Sequence, residues 1–190
     1  MSDKPVWLLD VDGVLNASRP GWGAAPRKQM AYADGDAWPM RYAPALIDRI
    51  RGLVAADVLE VRWCTTWCAW ADQLERIWRL PPLGRAFTEP LNGSAASLAK
   101  LAAARQVLAA GRRLIWTDDA EVPGPGELYD ELAADGRALL IRPAGSRGLQ
   151  PEHLDEIEAF CAPEIGSGVR ARAQVEARMR AKFKAKETKA

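Results

Sequence analysis

Val6-Trp7-Leu8-Leu9-Asp10-Val11-Asp12-Gly13-Val14-Leu15-Asn16 decides how the rest of the chain is read. An apolar run of strand length, close to the N-terminus, ends in two aspartates spaced by one residue and then a glycine. A run this short and apolar predicts a buried central strand. Side chains alternate along a strand, so Asp10 and Asp12 start on the same side. Gly13, with no Cβ, lets the backbone turn tightly behind them. Both carboxylates then emerge at the C-terminal edge of a sheet, where open α/β folds place their ligands.

Outward from this stretch, strands and helices alternate. Residues 16–40 are rich in Gly, Pro, Trp and Ala and read as a long loop over the same edge. Within it Trp22, Arg27, Lys28, Tyr32 and Trp38 are candidates to line a substrate entrance, or equally to pack and to carry solvated loop charge. Residues 43–56 have helical apolar spacing (Leu46, Ile47, Ile50, Leu53, Val54). Val58 to Cys64 reads as a strand ending at Thr65. Trp67, Trp70, Ala71, Leu74, Ile77 and Trp78 give a helical apolar face that reads as core and is closed by Pro81-Pro82. A short strand is expected near Arg85 to Thr88. Helix 97–110 has apolar positions at Leu98, Leu101, Ala102, Val107 and Leu108 and ends at Gly111. Leu114-Ile115-Trp116 is a further strand running into Thr117-Asp118-Asp119. A helix over Glu127 to Ala134, a strand over Ala138 to Arg142 and a helix over Gln150 to Cys161 complete the pattern, with Pro151 suited to a first helical turn. This alternation predicts an α/β fold, a mostly parallel sheet with helices on both faces.

The bulk numbers fit one domain with an appendage. The chain has 190 residues, 48% of them hydrophobic and 27% charged, as in soluble globular proteins. No apolar run approaches the roughly 20 residues of a membrane span. Met1-Ser2-Asp3-Lys4-Pro5 lacks the basic and apolar regions of a signal peptide, so a cytoplasmic location is expected. Cys64, Cys68 and Cys161 have no metal-like spacing. A reactive thiol beside Thr65-Thr66 is conceivable, but small apolar side chains near the core are the preferred reading. His153, the single histidine, is read as structural or exposed. From Gly168 to Ala190 eight basic and two acidic residues give the tail +6, so the rest of a chain of total charge +1 carries −5. The domain is expected over 1–165, and 166–190 as a basic, solvated helical tail.

Asp-Val-Asp-Gly-Val-Leu-Asn resembles motif I of the haloacid dehalogenase-like hydrolases. Three further pieces follow in order. Thr65 ends the second strand, where the family places a Ser or Thr, with Thr66 as a lesser substitute. Lys100 precedes the Asp-Asp strand, where the family has a lysine, with Arg105 as its rival. Asp118-Asp119 resembles the family's double-aspartate motif IV. Arg62-Trp63-Cys64-Thr65-Thr66-Trp67, Leu114-Ile115-Trp116-Thr117-Asp118-Asp119 and Gly148-Leu149-Gln150-Pro151-Glu152-His153-Leu154 are similar to strings in the domain of this family associated with "Swiss army knife" RNA-repair proteins.

The resemblance, covering residues 5–161, implies a three-layer Rossmann-like fold, capless or nearly so. It implies Asp10 as nucleophile and Asp12 as acid and base, with the Asp12 backbone carbonyl facing a metal. Thr65 and Lys100 hold phosphoryl charge. Asp119 is expected as a direct ligand, and Asp118 as one through water. Phosphoryl transfer through a covalent intermediate needs a nucleophile, a proton donor, positive charge and a metal. Hard oxygen ligands at an open site suit Mg²⁺. An EF-hand reading fails because the later acidic positions are missing, and Asp12 argues against a dehalogenase, whose halide leaving group needs no proton. The expected activity is a Mg²⁺-dependent phosphatase. An open site and a basic tail suggest a nucleic-acid end or nucleotide as substrate, the tail holding a nucleic-acid backbone by charge. A small-metabolite phosphatase and a non-catalytic nucleic-acid-binding or scaffold module are the alternatives.

Overall fold

The computed structural model describes residues 4–162. The predicted basic tail, 166–190, lies outside them. Among the described residues no helix is long and apolar enough to cross a membrane.

The first strand, β1 (Val6–Leu9), is buried along its whole length and sits in the middle of a five-stranded sheet. It pairs in parallel on one side with β4 (Glu60–Trp63) and on the other with β6 (Leu114–Thr117). β5 (Gly84–Arg85) extends the sheet beyond β4, and β7 (Ala138–Ile141) extends it beyond β6, so every pairing is parallel. A strand covered on both faces must be apolar at every position, which is why Val-Trp-Leu-Leu shows no alternation.

Parallel strands require crossovers, and the helices supply them. α1 (Pro44–Ala55), α2 (Ala71–Trp78) and α5 (Pro151–Cys161) pack on the face that carries Trp7 and Leu9. α3 (Gly93–Ala109) and α4 (Glu127–Ala133) pack on the face of Val6, Leu8 and Trp116. The chain therefore leaves β1 toward β4 on one side and returns to β6 on the other. Between β1 and β6 lies the point where the winding reverses, and there the C-terminal ends of the strands open a crevice.

Two expectations are corrected. Residues 27–42 are not a loop but a β-hairpin, β2 (Arg27–Ala33) with β3 (Asp36–Tyr42), paired from Arg27–Tyr42 to Ala33–Asp36. Its turn is Asp34-Gly35, both at positive φ (52° and 83°), the geometry that matches the twist of two-residue hairpins. Ala31 and Met40 of one hairpin face enter the core, while Met30 and Tyr32 on the other face stay exposed. Gln73 of α2 holds the β2 edge, accepting from the Tyr32 N–H at 2.9 Å and donating to the Tyr32 carbonyl. The second correction concerns α3. It starts at Gly93, and its buried face is Ala96, Lys100, Ala103, Ala104 and Val107, whereas Leu98 is 69% exposed. Alanines bring this helix close to the sheet, and the lysine occupies a position in that same face.

The loop after β7 braces the one after β1. Leu149 N–H donates to the Val14 carbonyl at 2.9 Å, and Gly148 lies against it at φ +66°. A Cβ on Gly148 would come within 2.4 Å of the Val14 oxygen. Gly148→Ala is therefore expected to destabilise the fold by about 1–3 kcal/mol from backbone strain alone, read as a lower urea midpoint. An unchanged midpoint would mean that this bracing contributes nothing.

Candidate functional site

The site forms where β1 and β6 end. Asp10 follows β1, its N–H donating to the Thr117 carbonyl at 3.1 Å, and is 6% exposed. Asp118 follows β6 and is wholly buried. Lys100 reaches both from α3, its ammonium 2.9 Å from Asp10 Oδ2 and 2.7 Å from Asp118 Oδ2. Carboxylate oxygens of Asp10, Asp118 and Asp119 lie within 4.8 Å of one another.

Each carboxylate is committed differently. Asp10 Oδ1 accepts the Val11 N–H at 2.8 Å. Asp118 Oδ1 accepts the N–H groups of Ala120 and Glu121 at 2.9 and 2.8 Å, while its Oδ2 takes Lys100. Asp118 is thus the buried hinge of the loop after β6. Asp119 is half-buried and sits in a cradle of glycines. A Cβ on Gly13 or on Gly145 would fall 2.2 Å from its carboxylate. Gly13, at φ +70°, makes the turn that the sequence predicts, and its lack of a side chain also leaves room for Asp119. Arg142 fixes the backbone, donating from Nε to the Asp119 carbonyl at 2.9 Å.

Asp12 lies on the same edge, but its carboxylate is not one of the three. It is exposed and held by two donors, Asn16 Nδ2 at 2.7 Å on Oδ1 and Trp67 Nε1 at 2.8 Å on Oδ2. The turn that carries it hangs from one carbonyl. Val11 O accepts the N–H groups of Val14, Leu15 and Asn16. Asn16 in turn accepts from the Arg41 N–H at 2.8 Å, which ties this turn to β3.

Thr65, just past β4, is wholly buried, its hydroxyl accepting the Trp67 N–H at 3.3 Å. Thr66 is exposed. Arg105 pairs with Glu131 on the surface at 2.7 Å and is far from the role considered for it. Cys64 and Cys68 are buried, and burial pushes both thiols up, most strongly Cys64, so they are inert core groups. His153 works at the start of α5, its Nδ1 accepting the Gln150 N–H at 3.1 Å. Of the loop residues considered for a substrate entrance, Trp22 donates to the Leu149 carbonyl at 2.8 Å and is a brace, while Trp38 lines a groove beside Asp12.

Sequence reasoning missed Asn16, Trp67, Arg142 and Gly145. Trp67 was legible only as an apolar core residue, and its indole N–H is what reaches Asp12.

Three carboxylates against one ammonium leave this cluster with two uncompensated negative charges. Burial first, and the neighbouring Asp118 second, push Asp10 from 3.8 up to about 7, against the opposing pull of Lys100. Burial and Asp118 raise Asp119 as well. All donors are hard oxygens, so the cluster fits a divalent cation such as Mg²⁺, which would restore neutrality. Asp10 and Asp119 have oxygens able to turn to it, while Asp118 already spends both on Lys100 and the backbone.

No family model, curated protein or solved structure matches this chain.

Two outcomes follow for the cluster. The stability that a proton on Asp10 contributes is fully present below pH 3.8 and lost as the pH rises through about 7. Mg²⁺ competes with that proton, so it should raise the melting temperature more at pH 8 than at pH 5, measured by differential scanning calorimetry. Equal shifts at both values would place the ion elsewhere. Gly145→Ala, at a position without positive φ, displaces only the Asp119 carboxylate. It should weaken Mg²⁺ binding by about 10–100-fold in titration calorimetry, and unaltered binding would remove Asp119 from the ligand set.

Proposed function

We propose that this chain is a Mg²⁺-dependent phosphatase of the haloacid dehalogenase type, acting through an aspartyl-phosphate, with the β2–β3 hairpin in place of a cap domain. The observation that carries this reading is Lys100 buried between Asp10 and Asp118 at the point where the sheet reverses its winding, with Asp119 alongside.

In this reading an Asp10 oxygen attacks phosphorus in line, and the bond from phosphorus to the leaving oxygen breaks as Asp12 gives that oxygen its proton. Asp12 then takes a proton from water, whose oxygen attacks the same phosphorus. The Asp10–phosphorus bond breaks and inorganic phosphate leaves. Asn16 and Trp67 fix the direction of the Asp12 carboxylate, so the proton is delivered at one place. Lys100 lowers the repulsion between Asp10 and an anionic substrate, and Thr65 has a hydroxyl proton to offer a phosphoryl oxygen. Mg²⁺ at Asp10 and Asp119 supplies further charge neutralisation when bound, with Asp118 behind them. The expectation of a nucleic-acid substrate rests on an open site together with the basic tail over 166–190, which lies outside the described residues.

The test is hydrolysis of p-nitrophenyl phosphate and of an alkyl phosphate, with Mg²⁺ or with EDTA. EDTA and Asp10→Asn should each lower turnover by about 10³-fold or more. Asp12→Asn should lower kcat/KM by about 10²–10⁴-fold on the alkyl ester but much less on the aryl ester, whose leaving group needs little protonation, while kcat on both falls because water is no longer deprotonated. Turnover that survives Asp10→Asn would refute the nucleophile, and equal losses of kcat/KM on both esters would refute Asp12 as the acid.

A further inference from the structure

A groove of about 400 Å³ opens beside Asp12. Its walls come from three separated segments: the hairpin end with Asp34, Asp36 and Trp38, the turn after β4 with Trp67 and Trp70, and Pro90–Asn92 before α3. The volume falls within the range of small-molecule sites. Among the described residues, no lysine or arginine lines it. Three tryptophans (Trp38, Trp67, Trp70) and three aspartates, Asp12 included, therefore line one concave space. Trp38 is 50% exposed, so its ring is available from the groove, and Trp67 is held by its own bond to Asp12. The hairpin is fixed rather than loose here, since Gln73 clamps the Tyr32 backbone from α2 and the Asp34-Gly35 turn is regular.

Charge decides what fits. The groove carries Asp12, Asp34 and Asp36 with no basic residue. A polyanion such as a nucleic-acid strand is repelled by them, and a neutral sugar gains nothing from the carboxylates. A cation gains twice, from the carboxylates and from the faces of the indoles, the combination used to bind quaternary ammonium groups. Because Asp12 lies on the rim, a group seated in the groove is on the leaving-group side of the phosphate.

We propose that this groove is the leaving-group subsite and takes a positively charged, ammonium-bearing alcohol, so that the substrate is a zwitterionic phosphate monoester. This rests on the phosphatase reading for its chemistry, but the binding itself does not. Asp34 and Asp36 supply the counter-charge, and Trp38 with Trp70 the aromatic walls.

Two measurements test it on the whole chain. The first is binding of choline alone, followed by quenching of tryptophan fluorescence and by calorimetry. Saturable binding is expected, weakened at least tenfold in Asp34→Asn/Asp36→Asn and in Trp38→Ala, with far-ultraviolet circular dichroism confirming that both variants are folded. The second is the ratio of kcat/KM for phosphocholine to that for glycerol 3-phosphate. It should exceed about ten, equivalent to roughly 1.4 kcal/mol, and fall toward one in the double aspartate variant. A 5′-phosphorylated oligonucleotide should be the poorer substrate. Absence of choline binding, or binding indifferent to both variants, overturns the subsite. So does a ratio near one, or preference for the oligonucleotide, in an enzyme that hydrolyses aryl phosphates. Choline binding lost in the variants, with no hydrolysis of any phosphate, keeps the subsite and overturns the phosphatase.

Discussion

One ammonium cannot neutralise three carboxylates. At a spacing of 4.8 Å or less, each pair of ionised carboxylates repels by about 3–4 kcal/mol at an effective dielectric near 20. Lys100 offsets part of this, and burial of Asp10 and Asp118 sharpens the rest. A proton on Asp10, favoured below about pH 7, relieves this repulsion, and a cation among the oxygens would relieve it without the proton. Removing Lys100 would leave Asp10 and Asp118 facing each other without an opposite charge, a loss of the kind that costs about 3–5 kcal/mol when a buried pair is broken.

The fold is arranged to tolerate that cluster. β1 runs through the middle of the sheet, so Asp10 emerges with β4 on one side and β6 on the other, and the backbone beneath it is immobilised by both. α3 comes close enough to deliver a lysine because its sheet-facing side is otherwise alanine apart from Val107. Gly13 and Gly145 give up side chains to make room for Asp119, and Arg142 holds the Asp119 backbone. Asp12 stands apart from the cluster, held by Asn16 and Trp67 at the rim of the groove. Buried Asp10 and exposed Asp12 are two residues apart, the separation that the proposed chemistry asks of a nucleophile and a proton carrier.

How far this was legible in the sequence depended on the range of the interaction. The parallel sheet follows from short apolar runs separated by helical periods, and Asp10 from its place at the end of the first run, whereas Lys100 and Asp118 are singled out by the family resemblance. The hairpin was misread because residues 27–42 lack clean alternation. Trp38 and Met40 share its inner face while Met30 and Tyr32 point outward, so apolar residues occupy both sides. The signal was present in Asp34-Gly35, the dipeptide that a tight hairpin turn requires. The buried face of α3 was also misassigned, since leucines outrank alanines in any hydrophobic count, yet closeness to the sheet favours the small residue. Trp67, Arg142 and Gly145 act through contacts across distant segments, which no local pattern carries.

The central claim is that Asp10 forms a bond to phosphorus. Rapid acid quenching during turnover of an aryl phosphate with Mg²⁺, followed by peptide mapping, tests it most directly. The account predicts a hydroxylamine-labile phosphoryl group on the peptide containing Asp10, absent with EDTA. Turnover with the phosphoryl group on another residue, or with none trapped under conditions that slow hydrolysis in Asp12→Asn, would contradict it.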